Sequence, residues 1–384
     1  MNKQKPRVSI IIPVYNNGLF LKDTLSSIQK QTFDNFEAIV INDGSVDNSE
    51  EIIDQFVKAD KRFIKITQEN KGVSEARNAG LKIVKGNYVT FVDGDDTLPI
   101  DALQEMDNIA RNYPSDLIIG GIQRVDGSLK KVNQRTKRLK DKRELLKGDL
   151  DLVHGLSLCN KWFLKEIIDK NNLRLEPFKH LEDGVFLYNF LQYTENIQYC
   201  DAVIYNYLKR VPTNASDVTQ TVKSGLLESA LKAYERIAEL TADYKEEFKQ
   251  ELAYRINSTT LIGDYYKKIW SLDEKDEELL VSYMEKLWEK ESEDHKAKTF
   301  SMHKGLELEK GFRTKDELLK DTIFTIVISP LVSESKINII LKSIYGQSVP
   351  GFCVILDQKF QKETDESFKK MKNLSFIDLG KDCK

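Results

Sequence analysis

The chain has 384 residues, of which 40% are hydrophobic and 31% are charged, and its formal net charge at pH 7 is −3. This length predicts two or three domains with sizeable cores, and the balanced charge excludes the general basic field typical of nucleic-acid binding. Four cysteines without CxxC spacing argue against a disulfide scaffold. The longest apolar runs are far below the ~20 residues of a membrane span. We therefore expect a cytoplasmic protein.

Strand and helix signals alternate along the first third of the chain. Strands are predicted at 7–15, 36–45, 62–70 and 88–96, and helices are predicted at 19–31, 49–58 and 74–86. This alternation predicts a mostly parallel sheet with helices on both faces. The strands are apolar throughout, as in VSIIIPV, which is typical of a sheet buried on both sides.

Polar side chains follow each of these strands. The carboxyl ends of parallel strands meet at one edge of the sheet, where ligands bind in such folds. The segment YVTFVDGDDTLPID carries four acids, namely Asp93, Asp95, Asp96 and Asp101. Crowded carboxylates repel one another and raise each other's pKa, so the cluster indicates a cation or a cationic partner. The alternative is a solvated acidic turn, and the location at the ligand edge favours the cation.

The segment 124–147 carries ten Lys or Arg residues against three acids. Runs of like charge are usually solvated loops, and that is one interpretation of this segment. The other is a docking surface for an anionic acceptor or for an anionic membrane face.

The remainder of the chain changes character twice. Helical periodicity dominates 222–320, and its aromatic side chains are expected in a core. The segment 324–358 then repeats the pattern of 8–43, with Pro330 matching Pro13, Gln347 matching Gln31 and Phe352 matching Phe36. We expect three domains: a catalytic domain at 1–220, an α-helical domain at 221–320 and an incomplete repeat of the first fold at 321–384.

The motifs VSIIIPVYNN, IVINDGS, NKGVSEARNAGL and YVTFVDGDD occur in this order. Together they resemble the family-2 inverting glycosyltransferases of the GT-A fold, over about residues 7–218. The layout is similar to bacterial enzymes that decorate teichoic acids or build surface polysaccharides. The resemblance implies an α/β GT-A domain that transfers a hexose or N-acetylhexosamine from a UDP-sugar to a hydroxyl group.

The resemblance also implies a divalent metal ion. Mg²⁺ and Mn²⁺ prefer oxygen ligands and can act as a Lewis acid on a departing diphosphate. Asp93 and Asp95 form the Asp-x-Asp of the family. Asp95 is expected to bind the metal directly, and Asp93 to face the ribose or the metal. The role of Asp96 is left open.

A nucleotide also needs a pocket for its base. Pro13 and Tyr15 end the first strand, where an aromatic ring can stack on uracil, and Asp43 can accept a hydrogen bond from uracil N3–H. Without this context, Asp43 and the Gly-Ser after it would be interpreted as a turn with a helix cap. The resemblance implies that further residues contact the nucleotide, namely Asn70, Lys71, Gly72 and Arg77.

An inverting transfer requires a general base for the acceptor hydroxyl. In KHLEDGVFLYNFL, Asp183 matches the base of the family and Glu182 is its neighbour, although two acids can also simply favour a helix N-terminus. His180 is expected at the rim of the site. In YNYLKRVPTNASDVTQ, Arg210 and Ser216 are expected to close over the diphosphate.

The expected partners are a UDP-sugar donor and a glycan, polyol-phosphate or glycoprotein acceptor. Peripheral contact with an anionic membrane at its inner face, and a homo-oligomer through the helical domain, are further expectations. Two alternatives stay open. FVDGDDT also fits the signature of aspartate-nucleophile phosphohydrolases, with Asp93 as nucleophile and Asp95 as acid, although that signature normally ends the first strand of its fold. The other is a non-catalytic module that binds sugar nucleotides.

Overall fold

The computed structural model divides the chain into two units: Met1–Thr213 with Ser229–Phe248, and Asn214–Glu228 with Lys249–Lys384. The structure describes 5–126, 131–135, 155–209, 225–266 and 272–303, with residues 152, 269, 308, 312 and 314 and the short stretches 324–328, 352–357 and 374–377. Arg210, Ser216 and most of the basic segment 124–147 lie outside the described residues. The three predicted domain bounds stay a prediction.

The first unit contains an eight-stranded sheet. Its strands are β1 Val8–Val14, β2 Phe36–Asp43, β3 Phe63–Gln68, β4 Tyr88–Phe91, β5 Leu117–Asp126, β6 Lys131–Arg135, β7 Lys161–Leu164 and β8 Ile197–Lys209. The order is β3-β2-β1-β4-β7-β5-β6, and β8 pairs with β5. The first four strands are parallel, while β7 is antiparallel to both of its neighbours. The predicted, mostly parallel α/β sheet is confirmed.

Helices connect these strands. They are α1 Leu21–Gln29, α2 Ser49–Ala59, α3 Val73–Leu81, α4 Ala102–Asn112, α5 Lys165–Lys170 and α6 Glu182–Leu191. Every residue of β1, β2 and β4 is buried, because the sheet is covered on both faces. The parallel strands therefore carry the core of the unit, and their carboxyl ends carry the polar residues.

Helix α3 ends at Leu81, five residues before the predicted stop at Gly86. The reason is a buried pair of side chains, Ser9 and Glu37, joined by a 2.6 Å hydrogen bond. Glu37 accepts a hydrogen bond from the backbone N–H of Lys85, and Ser9 accepts one from that of Gly86. Side chains that bond these N–H groups compete with the helix and end it early.

An aromatic cluster lies beneath the ligand edge, formed by Phe91, Phe163, Phe186 and Phe190. Phe163 has its ring centroid 6.0 Å from Phe91, 5.6 Å from Phe186 and 5.0 Å from Phe190. These edge-to-face pairs join β4, β7 and α6, and such geometry is favourable for aromatic rings. The cluster therefore fixes the backbone from which both acidic motifs project.

The helical region contains α7 Leu226–Leu240, α8 Glu246–Arg255, a π-helical stretch Ile256–Tyr265, α9 Glu274–Trp288 and α10 Glu293–Met302. Asp273 caps α9 and Ser292 caps α10, each accepting a hydrogen bond from a backbone N–H of the first turn. Tyr265 and Tyr266 are buried, as expected of core aromatics. Among the described residues, every helix is too short or too polar to cross a bilayer.

The end of the chain contains a second, three-stranded parallel sheet, formed by β9 Phe324–Ile328, β10 Phe352–Asp357 and β11 Leu374–Ile377. Its order, β11-β10-β9, repeats the order β3-β2-β1 of the large sheet. In the large sheet Val8 aligns with Phe36, and in the small sheet Phe324 aligns with Phe352. This agrees with the predicted partial repeat of the fold.

We expect Phe163→Ala to lower the free energy of unfolding by about 3–5 kcal/mol, because truncation leaves a cavity at the centre of the aromatic cluster. Urea unfolding measures this loss. Leu19→Ala is a matched control, since Leu19 is 83% exposed, and should change stability by no more than about 0.5 kcal/mol. Equal effects of the two substitutions would contradict the role given to the cluster.

Candidate active site

The predicted site residues in the described part of the first unit lie at or near the carboxyl ends of β1 to β4, apart from the acids of α6. Pro13 is buried within β1, and Tyr15, just beyond its end, is 49% exposed. Asp43 is the last residue of β2, and Asp93 follows β4 by two positions. Neighbouring parallel strands bring these positions to one edge, as predicted.

Asp43 anchors the loop that follows β3. Its Oδ1 accepts hydrogen bonds from Gln68 Nε2 at 2.7 Å and from the Lys71 N–H at 2.9 Å, and its Oδ2 accepts one from the Gly72 N–H at 2.9 Å. Gly72 has φ of +87°, a conformation that L side chains rarely adopt. The sequence predicts Asp43 as a contact of the nucleotide base, and the structure shows that it also holds the loop that includes Asn70.

Arg77 joins the two acidic motifs. Its Nη2 donates to Asp93 Oδ1 at 2.9 Å, while its Nη1 donates to Glu182 Oε1 at 3.1 Å and to Asp183 Oδ1 at 2.6 Å. The Arg77 side chain is 3% exposed, and its guanidinium also lies 5.9 Å from the centroid of the Phe91 ring. Predicted only as positive charge near the nucleotide, Arg77 thus connects the Asp-x-Asp turn to the start of α6.

Burial dominates the titration of this cluster. It raises the pKa of Glu182 to about 7, with a further increase from neighbouring Asp183. Burial also raises the pKa of Asp183, although the Arg77 guanidinium opposes this. Burial lowers the pKa of Arg77, but Asp183, Asp93 and Glu182 outweigh it and hold that pKa well above its usual value. The guanidinium therefore stays charged, while Glu182 and Asp183 retain their protons to a higher pH than usual.

Asp96 ties the acidic turn to β8. Its Oδ2 accepts a hydrogen bond from the Tyr205 hydroxyl at 2.6 Å, and its Oδ1 accepts one from the Leu208 N–H at 2.7 Å. Asp96 is 2% exposed, and burial, with help from Asp95 and Asp93, raises its pKa to about 8. Both of its oxygens are thus engaged within the protein, and Asp96 is an anchor. Asp101 belongs to the start of α4.

Asp93 and Asp95 are partly exposed, and they supply the carboxylate oxygens that hard cations prefer. Within the described residues, no three or more His, Cys, Asp or Glu side chains form a ready-made metal cage. Mg²⁺ and Mn²⁺ commonly bind through one or two carboxylates together with phosphate oxygens of a substrate. The donor set therefore fits a metal ion that shares its coordination with a diphosphate.

The segment LCNK, residues 158–161, contacts the site although its sequence predicts no role there. The Leu158 N–H donates to Asp183 Oδ2 at 3.3 Å, and Cys159 Sγ lies 3.5 Å from Asp93 Oδ2. Cys159 is a free, buried thiol whose pKa burial raises well above its usual value. In the sequence this segment is a short stretch at the start of β7 with one cysteine and one lysine, and such a stretch by itself predicts no site.

The chain is similar in sequence to known glycosyltransferases. Residues 9–171 match the family model described as "Glycosyl transferase family 2". The chain is 29% identical over 262 residues to "Putative glycosyltransferase EpsH" of Bacillus subtilis (strain 168), covering 65% of this chain and 74% of EpsH. It is 36% identical over 197 residues to "Poly(ribitol-phosphate) beta-N-acetylglucosaminyltransferase TarP" of Staphylococcus aureus (strain N315), covering 50% of this chain and 59% of TarP.

Among solved structures, S. aureus TarS 1–349 in complex with UDP-GlcNAc aligns with a TM-score of 0.59 at 20% identity. The alignment covers 76% of this chain and 83% of that chain. A likeness at this level of identity shows the shared fold.

The raised pKa of Glu182 has a consequence for stability. The folded protein binds this proton more tightly than the unfolded chain does, so the stabilisation is present below pH 4.5 and is lost as the pH rises through about 7. We expect Glu182→Gln to flatten the fall in unfolding free energy between pH 5 and pH 8. Urea midpoints measured across this range test it. Glu166→Gln, at an exposed position, is the control, and parallel curves for parent and Glu182→Gln would contradict the prediction.

Proposed function

This chain belongs to glycosyltransferase family 2 and has the GT-A fold, and on that premise we propose that it transfers a hexose or N-acetylhexosamine from a UDP-sugar to an acceptor hydroxyl, with inversion and with a divalent metal ion. The observation that carries this proposal is the bridge made by Arg77 between Asp93 and the pair Glu182 and Asp183. It brings a donor-side acid and a candidate base to one buried cation.

The donor would lie along the edge formed by β1 to β4. Tyr15 is exposed beside this edge and offers a face on which uracil can stack. The loop carrying Asn70, Lys71 and Gly72, held by Asp43, offers backbone and side-chain groups to the uridine. TarS is described in complex with UDP-GlcNAc, which supports a UDP-sugar as donor.

Asp95 would be the direct metal ligand, and Asp93 would face the metal or the ribose. A bound Mg²⁺ or Mn²⁺ would supply Lewis-acid stabilisation of the departing diphosphate. Asp93 Oδ1 is oriented by Arg77, which leaves further lone pairs of the carboxylate available. Because Asp96 is engaged with β8, this proposal leaves it out of the ligand set. Arg210 and Ser216 remain predicted contacts to the diphosphate.

Asp183 would be the general base. It would take the proton of the acceptor hydroxyl while the oxygen attacks the anomeric carbon and UDP leaves from the opposite face. A base works best when its pKa approaches the working pH, and burial raises the pKa of Asp183 in that direction. Arg77 and the Leu158 N–H hold one carboxylate oxygen each, so the orientation of the base is fixed before substrate arrives.

The acceptor class is inferred from relatives and from charge. TarP is named as an enzyme that acts on poly(ribitol-phosphate), which supports a polyol-phosphate acceptor ahead of a neutral glycan or a glycoprotein. The basic segment 124–147 would favour such a polyanion, or an anionic membrane. In this proposal the enzyme works in the cytoplasm at the inner face of the membrane. Oligomerisation through the helical region stays a prediction.

The phosphohydrolase alternative is weaker on topology. The acidic turn follows the fourth strand of the sheet, where that enzyme class uses the first. A non-catalytic module would have no need for an acid oriented as Asp183 is, with one carboxylate oxygen held by Arg77 and the other by the Leu158 N–H.

The proposal is tested by UDP release from a panel of UDP-sugars, with Mn²⁺, with Mg²⁺ and with EDTA. We expect release that depends on the metal, and we expect Asp95→Ala to reduce it by about 10²–10³-fold, since a lost ligand removes several kcal/mol of charge stabilisation. Asp101→Ala, which removes an acid six residues along the chain, should retain parental turnover. Phosphate release from a phosphomonoester without turnover of any nucleotide sugar would sink the proposal.

The base is tested separately. Asp183→Asn keeps the shape of the side chain and removes its basicity, so we expect kcat to fall by about 10²–10⁴-fold. UDP affinity, measured by calorimetry, should stay within about twofold of the parent, because the general-base contribution belongs to the chemical step. Asp169→Asn, which alters an acid paired with Lys165 on α5, is the control. A parental kcat in Asp183→Asn excludes it as the base.

A further inference from the structure

Lys161, the first residue of β7, carries a fully buried side chain. Lysine is almost never fully buried without a partner, because removal of an ammonium from water is costly. Here burial lowers the pKa of Lys161 to about 8, while Asp183 and Cys159 act in the opposite direction. The burial of Lys161 near the candidate base Asp183 suggests that its ammonium has a role in the site.

The ammonium folds the preceding segment onto itself. Lys161 Nζ donates to the Ser157 carbonyl oxygen at 2.5 Å and to Asn160 Oδ1 at 2.9 Å. Asn160 Nδ2 in turn donates to the Gly120 carbonyl oxygen at 2.6 Å, and the Gly120 N–H donates back to the Asn160 carbonyl at 2.9 Å. Residues 157–161 are thus closed by Lys161 and fastened to β5 through Asn160.

This closed segment supplies two contacts to the acids of the site. The Leu158 N–H points at Asp183 Oδ2, and the Cys159 thiol points at Asp93 Oδ2. Both donors lie between Ser157 and Lys161 in the chain. The ammonium therefore sets their directions together with two backbone donors, the Cys159 N–H to Ser157 Oγ and the Lys161 N–H to the Leu158 carbonyl oxygen. The other oxygen of each acid, in both cases Oδ1, is held by Arg77.

The charges that face Asp183 come from four elements. Arg77 on α3 and Lys161 on β7 are cationic, Asp93 after β4 is anionic, and Glu182 is the adjacent acid on α6. The Cys159 thiol is the remaining titratable neighbour. Counting Asp183 itself, two cations oppose three acids. Of the two cations, Lys161 is the one that donates its hydrogen bonds to neutral oxygens, so its charge is not neutralised in an ion pair.

We propose that Lys161 is a positioning residue for sugar transfer, which closes the segment 157–161 so that the Leu158 N–H orients Asp183, and whose ammonium favours the ionised, basic form of that carboxylate. This inference rests on the proposed function, because it takes Asp183 as the general base. Lys161 itself is fully buried, so it acts through Asp183 and not by contact with a substrate.

The test compares Lys161→Met, Lys161→Gln and Lys161→Arg. Met and Gln remove the charge, Gln alone keeps a hydrogen-bond donor for Ser157, and Arg keeps the charge. For the two neutral variants we expect kcat to fall by about tenfold or more, within the range that general-base catalysis spans. We also expect the acid limb of the kcat–pH profile to move up by about one unit, since a buried carboxylate loses a neighbouring cation.

Two controls accompany these variants. Lys165→Met removes a lysine that pairs with Asp169 at the start of α5, and it should leave kcat and its pH profile unchanged. UDP affinity should change far less than kcat in all the Lys161 variants, because the segment 157–161 reaches the donor edge through the Cys159 thiol, which is a weak hydrogen-bond donor. Lys161→Arg should retain the parental acid limb even where its larger side chain lowers kcat.

Each outcome decides the matter. An acid limb unchanged in Lys161→Met and Lys161→Gln overturns the proposal, whatever the size of the loss in kcat, because a purely structural lysine would leave the profile alone. Failure of both neutral variants to fold at 25 °C also overturns it, since Lys161 would then serve the fold. If Asp183→Asn retains parental kcat, the base assignment itself has failed; if it loses activity while the Lys161 profile is unchanged, only the inference about Lys161 has failed.

Discussion

The candidate site depends on one buried guanidinium. Arg77 is held on a helix at the carboxyl edge of the sheet and donates to three carboxylates from two distant parts of the chain. Removal of one partner from a buried charge network leaves an uncompensated charge in a medium that solvates it poorly. Donor-side and acceptor-side groups therefore share Arg77 as an electrostatic support.

The cluster around Arg77 contains fewer cations than acids. Arg77 and Lys161 oppose Asp93, Glu182 and Asp183, and burial raises the pKa of Glu182 to about 7. A divalent cation at Asp93 and Asp95 would reduce this deficit, so in the proposed mechanism metal binding and the protonation state of the acids are linked. The same charge that would assist the leaving group would also favour the ionised form of the base.

Local patterns were sufficient to predict the alternating strands and helices, the edge at which the polar residues meet and the three acids of the turn after β4. Apolar runs and turn residues determine these features within short stretches. The bridge from Arg77 to Glu182 and Asp183 spans more than a hundred positions, and the closure by Lys161 requires knowing that a lysine is buried. Neither has a local signal. The early end of α3 likewise depends on side chains from β1 and β2.

The attachment of Asp96 to β8 has a mechanical consequence. Tyr205 and Leu208 hold both oxygens of Asp96, and the Tyr205 hydroxyl also accepts a hydrogen bond from the Asp93 N–H at 3.2 Å. Strand β8 ends at Lys209, one residue before Arg210. The last residues of β8 are therefore coupled to the turn that carries Asp93 and Asp95. They cannot shift without either moving that turn or breaking the hydrogen bonds to Asp96.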